Sequence, residues 1–589
     1  MYVPEKELSQ AKRTYSRNSS LYAAQIHRHA AFRAPIRCAV ACVLAMWSGG
    51  CVAKKVAFLG AKAPFVLSLV GTNDLHGHID QLAWFGGQMA NLRESRAEDG
   101  AVVLVDAGDV FQGTLASNLT EGQVVVEAYN KLGYDALAIG NHDFDYGPAG
   151  PAATPLSPTD DPRGALKARA KQASFPFLAA NVWQREMDVP LVGENIAPTA
   201  MLVRKGLHIG LIGVTTQDTA GATIAPNFAG LSMQPLAPTI TRYATALRSQ
   251  GAHVVIVVAH AGGACAAFQM PNDLSSCSEN SEIFAVAKAL APGLVNAIVA
   301  GHTHAGVAHE VNGIPIIEAH SYGRAFGRVD LILDPQFRVT GHHLFPPHEV
   351  CAAASGTPGC AERHYEMRPI VPDPAVAALV KDAAEEVRKR GDQSLNTRAV
   401  APIERAYKTE SALGNLFADL MRAARPAADV AITNAGGLRA DLPSGPLKYR
   451  HLYEAMPFDN TFASATVTAT QLASVFRRNL QSDKGILSIS GLRVQAQCRQ
   501  GQLRVRFLRK DGSLVYEDER LVLFTTNFLA TGGDGLVSDA TFALEALPTV
   551  RDEMARVLNE SRHDLDPEAL RDPNQPRIIY PGSRPVLCN

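Results

Sequence analysis

The sequence predicts an α/β protein in two large halves, and three observations predict it. Short, continuous, β-rich apolar runs alternate with loops and helix-like stretches from Phe65 to about Pro346, the pattern of buried, largely parallel strands. A second region of α/β type runs from about Val400 onward. Between them, Asp373–Gln393 has helical periodicity and a charged face of Lys381, Glu385, Glu386, Arg388, Lys389 and Arg390, as expected for a solvated connecting helix.

Size and composition bound the alternatives. At roughly 100–200 residues per domain, 589 residues exceed one ordinary domain. With 47% hydrophobic and 19% charged residues, charge-driven disorder is excluded. A net charge of −1 argues against a basic nucleic-acid binder and against electrostatic docking on an anionic membrane. The 47 glycines and 35 prolines follow no short period, which excludes collagen and suits loop-rich α/β structure. No long apolar stretch follows the first 63 residues, so a polytopic membrane protein is excluded.

Residues 1–63 read as a leader. Arg28, Arg33 and Arg37 precede the apolar stretch Cys38–Trp47, which ends in Ser48-Gly49-Gly50-Cys51. A basic region, a short apolar region and a small-residue end predict an export signal, and the stretch is too short for an ordinary spanning helix. The expected location is the periplasm or cell envelope. Gly49-Gly50-Cys51 also resembles a bacterial lipoprotein cleavage site, which would make Cys51 a lipid anchor; a retained signal-anchor is the alternative. Of nine cysteines, Cys38, Cys42 and Cys51 fall in this leader. The other six suit disulfides in an oxidising space, with Cys265–Cys277 and Cys351–Cys360 as near pairs and Cys498–Cys588 left over, although six cysteines allow fifteen pairings.

The first large unit, 64–346, contains the apolar runs Phe65–Thr72, Val102–Asp106, Ala136–Ile139, His208–Val214, Val254–Ala259 and Ala297–Ala300. Pro148–Arg163, rich in Pro, Ala, Thr and Asp, reads as a surface insertion. Residues 347–399 form a bridge that ends in the connecting helix, and 400–589 form the second unit.

Five of these runs end in polar groups. Phe65–Thr72 leads into Asn73-Asp74-Leu75-His76-Gly77-His78, and Val102–Asp106 into Ala107-Gly108-Asp109. Ala136–Ile139 leads into Gly140-Asn141-His142-Asp143-Phe144-Asp145, Val254–Ala259 into His260, and Ala297–Ala300 into Gly301-His302-Thr303-His304. The carboxyl ends of strands are where α/β sheets bind ligands. Asp, His and Asn without Cys suit Zn, Mn, Fe or Co. Asp74, His76, Asp109, Asn141, His260, His302 and His304 are too many for one ion with open positions and about right for two that share a carboxylate. Such a pair clamps a phosphoester and lowers the pKa of a water between the ions.

These blocks, in this order, resemble the calcineurin-like metallophosphoesterases. Asn73-Asp74-Leu75-His76-Gly77 and Gly140-Asn141-His142-Asp143-Phe144-Asp145-Tyr146-Gly147 resemble the 5′-nucleotidase / UDP-sugar hydrolase family in particular. The resemblance implies a metallophosphoesterase-type αββα sandwich followed by a second α/β substrate-binding domain. It assigns Asp74, His76, Asp109 and His304 to one ion, and Asp109, Asn141, His260 and His302 to the other. It makes His142 the catalytic group facing the phosphate, oriented by Asp145, while Asp143 supports the loop.

The second half resembles that family's C-terminal domain. Thr433-Asn434-Ala435-Gly436-Gly437-Leu438-Arg439 follows an apolar run, its glycines exposing backbone N–H groups and Arg439 able to fork onto a phosphate. Phe458 and Phe528 each sit in a polar, turn-rich setting and could sandwich a planar base, where stacking is worth roughly 1–3 kcal/mol per base. By resemblance Arg439 binds phosphate, Phe458 and Phe528 stack on the base, and Asn434, Asn460 and Asp534 hydrogen-bond base or ribose. Relatives often carry further arginines before this block, where this chain reads Arg405, Tyr407 and Lys408. In relatives the second domain rotates about the connecting helix.

The expected function is an exported di-metal phosphohydrolase acting on 5′-nucleotides and on UDP-sugars, with a small-molecule nucleotide as its partner. A cyclic-nucleotide phosphodiesterase or sulfur-ester hydrolase would keep the metals and change the substrate. A non-catalytic surface binding protein is the reading from another class, and it has no need for His142 and Asp145.

Overall fold

The computed structural model describes residues 64–150, 152–350, 363–535 and 540–588. The leader and the Cys351–Cys360 pair lie outside the described residues. The other two expected disulfides, Cys265–Cys277 and Cys498–Cys588, are formed.

The first half is built on two sheets. One has seven strands in the order Val339–Glu349, Ala325–Leu333, Phe65–Thr72, Gly100–Asp106, Ala136–Ala138, Phe177–Leu178 and Ile196–Ala197. The other has six, in the order Gly306–Val311, Ile314–Ala319, Ala297–Ala300, Val254–His260, Leu207–Thr215 and Thr199–Arg204. Phe65–Thr72 runs parallel to Gly100–Asp106, and Val254–His260 runs parallel to both of its neighbours. The six apolar runs read from the sequence are thus the parallel centres of the two sheets. The antiparallel strands Ala325–Leu333 and Val339–Glu349 gave weaker signals; the latter is largely exposed and carries its sheet past residue 346.

Alternation along each strand decides which layer a side chain joins. Leu67, Leu69, Val103 and Val105 of one sheet meet Ile256, Val258 and Val299 of the other in a core between the sheets. Val70 and Leu104 turn outward to the core under the helices Leu82–Ser95 and Gln123–Leu132. Val255 and Val257 turn outward to the core under Leu236–Ser249 and Glu282–Ala289. The result is a helix–sheet–sheet–helix sandwich. Gly71 has to be glycine, because a Cβ there would lie 2.3 Å from Val299 Cγ1 of the facing sheet. Residues 148–163 are turn-rich, and every described one is at least partly exposed.

The connecting helix spans Pro374–Gly391, with Asp373 accepting at its N-cap from the N–H groups of Ala375 and Val376 and Pro374 in the first turn. It is less solvated than its charges suggest. Val376 is fully buried, and Ala377, Leu379, Val380 and Ala383 pack on the core of the first half, so the charged face is only its outer side.

The second half centres on a five-stranded sheet ordered Leu487–Ser490, Val430–Asn434, Arg520–Thr526, Thr461–Thr468 and Ala543–Thr549. A three-stranded sheet of Gln502–Leu508, Arg493–Arg499 and Ile578–Ile579 stands beside it. Helices Ala412–Ala424 and Val550–Ser561 close one core and Ala469–Leu480 the other.

Candidate active site

The loops that leave the first half's strands are tied to one another by backbone. Asp74 N–H donates to Gly108 O at 2.9 Å and His76 N–H to Asp109 O at 2.9 Å, extending the ladder beyond the strands. Asp74, His76, Asp109, His302 and His304 all have positive φ, between 49° and 80°. For residues with a Cβ this costs about 1–2 kcal/mol each, and such strain gathers where side-chain aim matters more than stability. Local hydrogen bonds hold it. Asp143 accepts from the N–H groups of Asp109, Val110 and Gly140 at 3.2, 3.0 and 2.8 Å. Asn73 Nδ2 donates to Asp74 Oδ2 at 2.7 Å and to His320 O at 2.6 Å.

Two groups of possible ligands result. In the first, one ligand atom each from Asp74, His76 and His304 lie within 4.8 Å of one another, and in the second the same holds for Asp109, His260 and His302. Their chemistry fits cations. His76 Nδ1 is 2.7 Å from Gln112 O and His260 Nδ1 is 2.8 Å from Ala107 O, and a carbonyl only accepts, so both Nδ1 atoms carry hydrogen and both Nε2 atoms, each able to take a proton or an ion, face the centre. His76 Nε2 lies 3.1 Å from His304 Nε2, and His260 Nε2 lies 3.2 Å from His302 Nδ1. Asp74 Oδ1 is buried with no hydrogen-bond partner, 3.4 Å from His304 Nε2. Asn141 Oδ1 sits 3.0 Å from His260 Nε2. Asp109 Oδ2 is 3.1 Å from His260 Nε2 and 3.8 Å from His76 Nε2, so this one carboxylate reaches both groups.

The electrostatics follow from this crowding. Burial pushes the Asp109 carboxyl up, but His260 and His142 outweigh it and hold the group well below the usual range. Burial pulls His260 down, and Asp109 reverses the effect, leaving it at about 10. His302, buried beside His260, is pushed down to about 4. The proton that Asp109 draws onto His260 Nε2 holds the place a divalent ion would take, since an imidazole ligates a metal in its neutral form.

Beside these groups, His142 Nδ1 lies 2.6 Å from Asp145 Oδ2, and Asp145 Oδ1 accepts from Thr223 at 2.9 Å. Burial lowers the His142 pKa, while Asp145 and Asp109 raise it more, for a net upward shift. Its ring centroid is 5.6 Å from that of His76 and 5.6 Å from that of Phe458. Arg439 of the second half brings Nη2 to 3.2 Å from His142 Nε2 and its guanidinium to 5.1 Å from the Phe458 ring centroid.

The remaining residues expected to read substrate form a second group. Asn434 Nδ2 donates to Asp534 Oδ2 at 2.7 Å, and Gly436 and Gly437 leave room beside Asn434 that Cβ atoms would narrow to 3.2 and 3.3 Å. Phe528 is half-buried and lies on Gly533, where a Cβ would meet the ring at 2.5 Å. Asn460 is buried, its carbonyl accepting from Val550 N–H at 2.7 Å. Phe458 stands with Arg439 and His142. Lys484 Nζ bridges to Asp218 of the first half at 3.2 Å.

Sequence reading missed several supporting groups. Asn73 and Thr223 carried no separate signal, since each is an ordinary loop residue until folded. Glu318 is buried and takes hydrogen bonds from Thr303 Oγ1 at 2.5 Å and Gly263 N–H at 3.0 Å, holding the residue between His302 and His304. An acidic residue within the otherwise apolar strand Ile314–Ala319 was the available clue.

Residues 67–306 match the family model of the calcineurin-like phosphoesterases, and residues 392–541 match that of the 5′-nucleotidase C-terminal domain. Protein UshA of Escherichia coli (strain K12) is 24% identical over 515 residues, covering 80% of this chain and 86% of UshA. Endonuclease YhcR of Bacillus subtilis (strain 168) is 26% identical over 485 residues, covering 79% of this chain and 37% of that longer protein. The solved 5′-nucleotidase precursor of Thermus thermophilus shares the fold, with a TM-score of 0.67 at 23% identity over 88% of this chain and 99% of that one. Sequence and fold agree that this chain belongs to the metal-dependent phosphoester hydrolases that join a calcineurin-like phosphoesterase domain to a 5′-nucleotidase C-terminal domain.

Proposed function

We propose that the protein is an exported phosphohydrolase that releases phosphate from 5′-nucleotides, with UDP-sugars as a further substrate class. One observation carries the reading: two adjacent ligand groups, with Asp109 reaching both, stand beside His142–Asp145 at the point where Arg439 arrives from the other domain. Asp74, His76 and His304 would hold one ion, Asn141, His260 and His302 the other, and Asp109 both; the donor set suits Zn, Mn, Co or Fe. Two such ions would supply Lewis acidity to the phosphoryl oxygens and activate water near neutral pH.

The chain's own residues would do the rest. Asp145 holds the Nδ1–H of His142, which turns Nε2 to the cleft, where it can give a proton to the leaving oxygen or hydrogen-bond transition-state charge. Arg439 presents a planar fork that matches phosphate geometry. Asn434, Gly436, Gly437 and Asp534 form a polar seat for the nucleoside, with Asn460 beside it and Phe528 as its stacking face. The nucleotide reading is supported by the C-terminal family match and by relatives described as 5′-nucleotidases. Export is supported by the paired cysteines, which suit an oxidising compartment.

The test is phosphate release from AMP, ATP and UDP-glucose, with 2′,3′-cyclic AMP alongside, before and after chelation and Mn or Zn add-back. Release from AMP that disappears with chelator and returns with metal is expected. Metal-replete protein inactive on every 5′-nucleotide would overturn the proposal, and turnover of the cyclic nucleotide alone would reassign the substrate.

A further inference from the structure

Segment 580–588 reaches the loops behind the nucleoside seat. Arg584 Nη2 donates to Asn479 O at 2.6 Å and to Lys484 O at 3.0 Å, and Nη1 donates to Lys408 O at 3.4 Å. One guanidinium thus gathers carbonyls from the last turn of helix Ala469–Leu480, from the loop after it and from the bend that precedes helix Ala412–Ala424. The segment is fastened just beyond Arg584. Val586 is buried in the core and its N–H donates to Leu480 O at 2.9 Å, and Cys588 is bonded to Cys498.

What Arg584 holds leads directly to the substrate side. Gly485 follows Lys484, and a Cβ on it would meet Gly436 N at 2.9 Å and the Tyr407 ring at 3.1 Å. Ile486 N–H donates to Tyr407 O at 2.9 Å, and Ile486 O accepts from Ala435 N–H at 2.9 Å. The Ala435-Gly436-Gly437 turn, on which Asn434 meets Asp534, therefore rests on a loop whose far side is fixed by Arg584. Lys484 itself spans the cleft to Asp218.

We infer that Arg584 is a positioning residue for nucleoside recognition: the disulfide-fastened segment 580–588 braces the 484–486 loop, and through it the seat formed by Asn434, Gly436 and Asp534. The inference rests on the nucleotide reading above. An arginine suits the task because its planar fork donates from two separate nitrogens in a fixed geometry, reaching carbonyls of residues 408, 479 and 484 together, whereas an ammonium donates from one point on a flexible stem.

The experiment compares Arg584→Ala, Arg584→Lys and Cys498→Ser/Cys588→Ser with the unaltered full chain. Each is assayed on AMP and on glycerol phosphate, which has no base, and followed by amide hydrogen exchange. Arg584→Ala should raise KM for AMP about tenfold, leave kcat and glycerol phosphate hydrolysis unchanged, and quicken exchange at 484–487 but not at 142–145. Arg584→Lys should recover part of the loss, and the double serine variant should reproduce it in milder form. Parallel losses on both substrates would mean a general structural role and overturn the inference, as would unchanged exchange at 484–487 or an unchanged KM for AMP. A parent protein with no preference for AMP over glycerol phosphate would instead defeat the nucleotide reading, with the exchange data still deciding whether Arg584 fixes the loop.

Discussion

Arg439 Nη2 lies 3.2 Å from His142 Nε2, although the two residues are 297 positions apart and belong to different domains. Asp145 occupies the Nδ1 side of the imidazole at 2.6 Å, so Nε2 is the acceptor and the guanidinium the donor. The contact places a cation of the second half against a histidine that adjoins both ligand groups, its ring 5.6 Å from that of His76 and its backbone N–H donating to Asp109 Oδ1 at 2.8 Å. A phosphate between the two domains would meet the guanidinium, and also an imidazolium N–H once His142 Nε2 is protonated, the form that Asp145 and Asp109 favour.

Replacing His142 with Ala should leave bound metal unchanged and lower phosphate release at least a hundredfold, in line with acid–base contributions of about 10²–10⁴. Asp145→Asn should fall between the two, because it keeps the imidazole and weakens its orientation. Metal analysis together with single-turnover rates checks both; a near-normal rate for His142→Ala would remove it from the chemistry.

Asp109 is the only carboxylate within 4 Å of imidazoles from both ligand groups among the described residues. Asp109→Ala should therefore cost both ions, whereas Asn141→Ala, beside His260 alone, should cost one at most. Metal-to-protein ratios after desalting decide this. Full occupancy of Asp109→Ala would contradict a shared ligand.

Phe458 and Phe528 should behave differently. Phe458 is buried against His142 and under Arg439, so Phe458→Ala should slow AMP and glycerol phosphate alike by disturbing both groups. Phe528 lies on Gly533, next in sequence to the Asp534 that Asn434 meets, and Phe528→Ala should raise KM for AMP by about tenfold, the value of one lost stacking contact, while sparing glycerol phosphate. Identical profiles for the two variants would mean that both rings serve one surface.

How much of this was legible in the sequence depends on the range of the interaction. The parallel strands were visible because continuous apolar runs have no other stable home, and the residues after them stood out because Asp, His and Asn at five of six strand ends are costly there unless used. Edge strands such as Val339–Glu349 were not visible, since a half-exposed strand alternates too weakly to distinguish from loop. The position of Phe458 against His142 was hidden for another reason. It is fixed by how one domain docks on the other, through contacts such as Asn118 Nδ2 to Pro457 O at 2.8 Å, and neither residue carries a mark of its partner. The buried helix face of Ala377, Leu379, Val380 and Ala383 was overshadowed by the charges between them.

Asp106 gives a pH dependence separate from catalysis. Its side chain is fully buried at the end of Gly100–Asp106 and accepts from Thr72 Oγ1 at 2.5 Å, Tyr129 Oη at 2.8 Å and Gly108 N–H at 2.8 Å. Burial raises its pKa from 3.8 to about 6, more than these hydrogen bonds lower it. The folded protein thus holds the proton more tightly than the unfolded chain. Its contribution to stability is complete below pH 3.8, declines as the unfolded carboxyl ionises, and is lost as pH rises through about 6. Asp106→Asn has the same shape and no titration, so the stability difference between the parent and Asp106→Asn should shift against the parent by up to roughly 3 kcal/mol between acid and neutral pH. Urea unfolding of both proteins in chelator, at about pH 4 and about pH 7.5, measures that difference while the other titrating groups cancel. A difference that stays flat, or that moves in favour of the parent as pH rises, would show that the carboxylate is ionised in the fold at no cost and that its three donors compensate its burial.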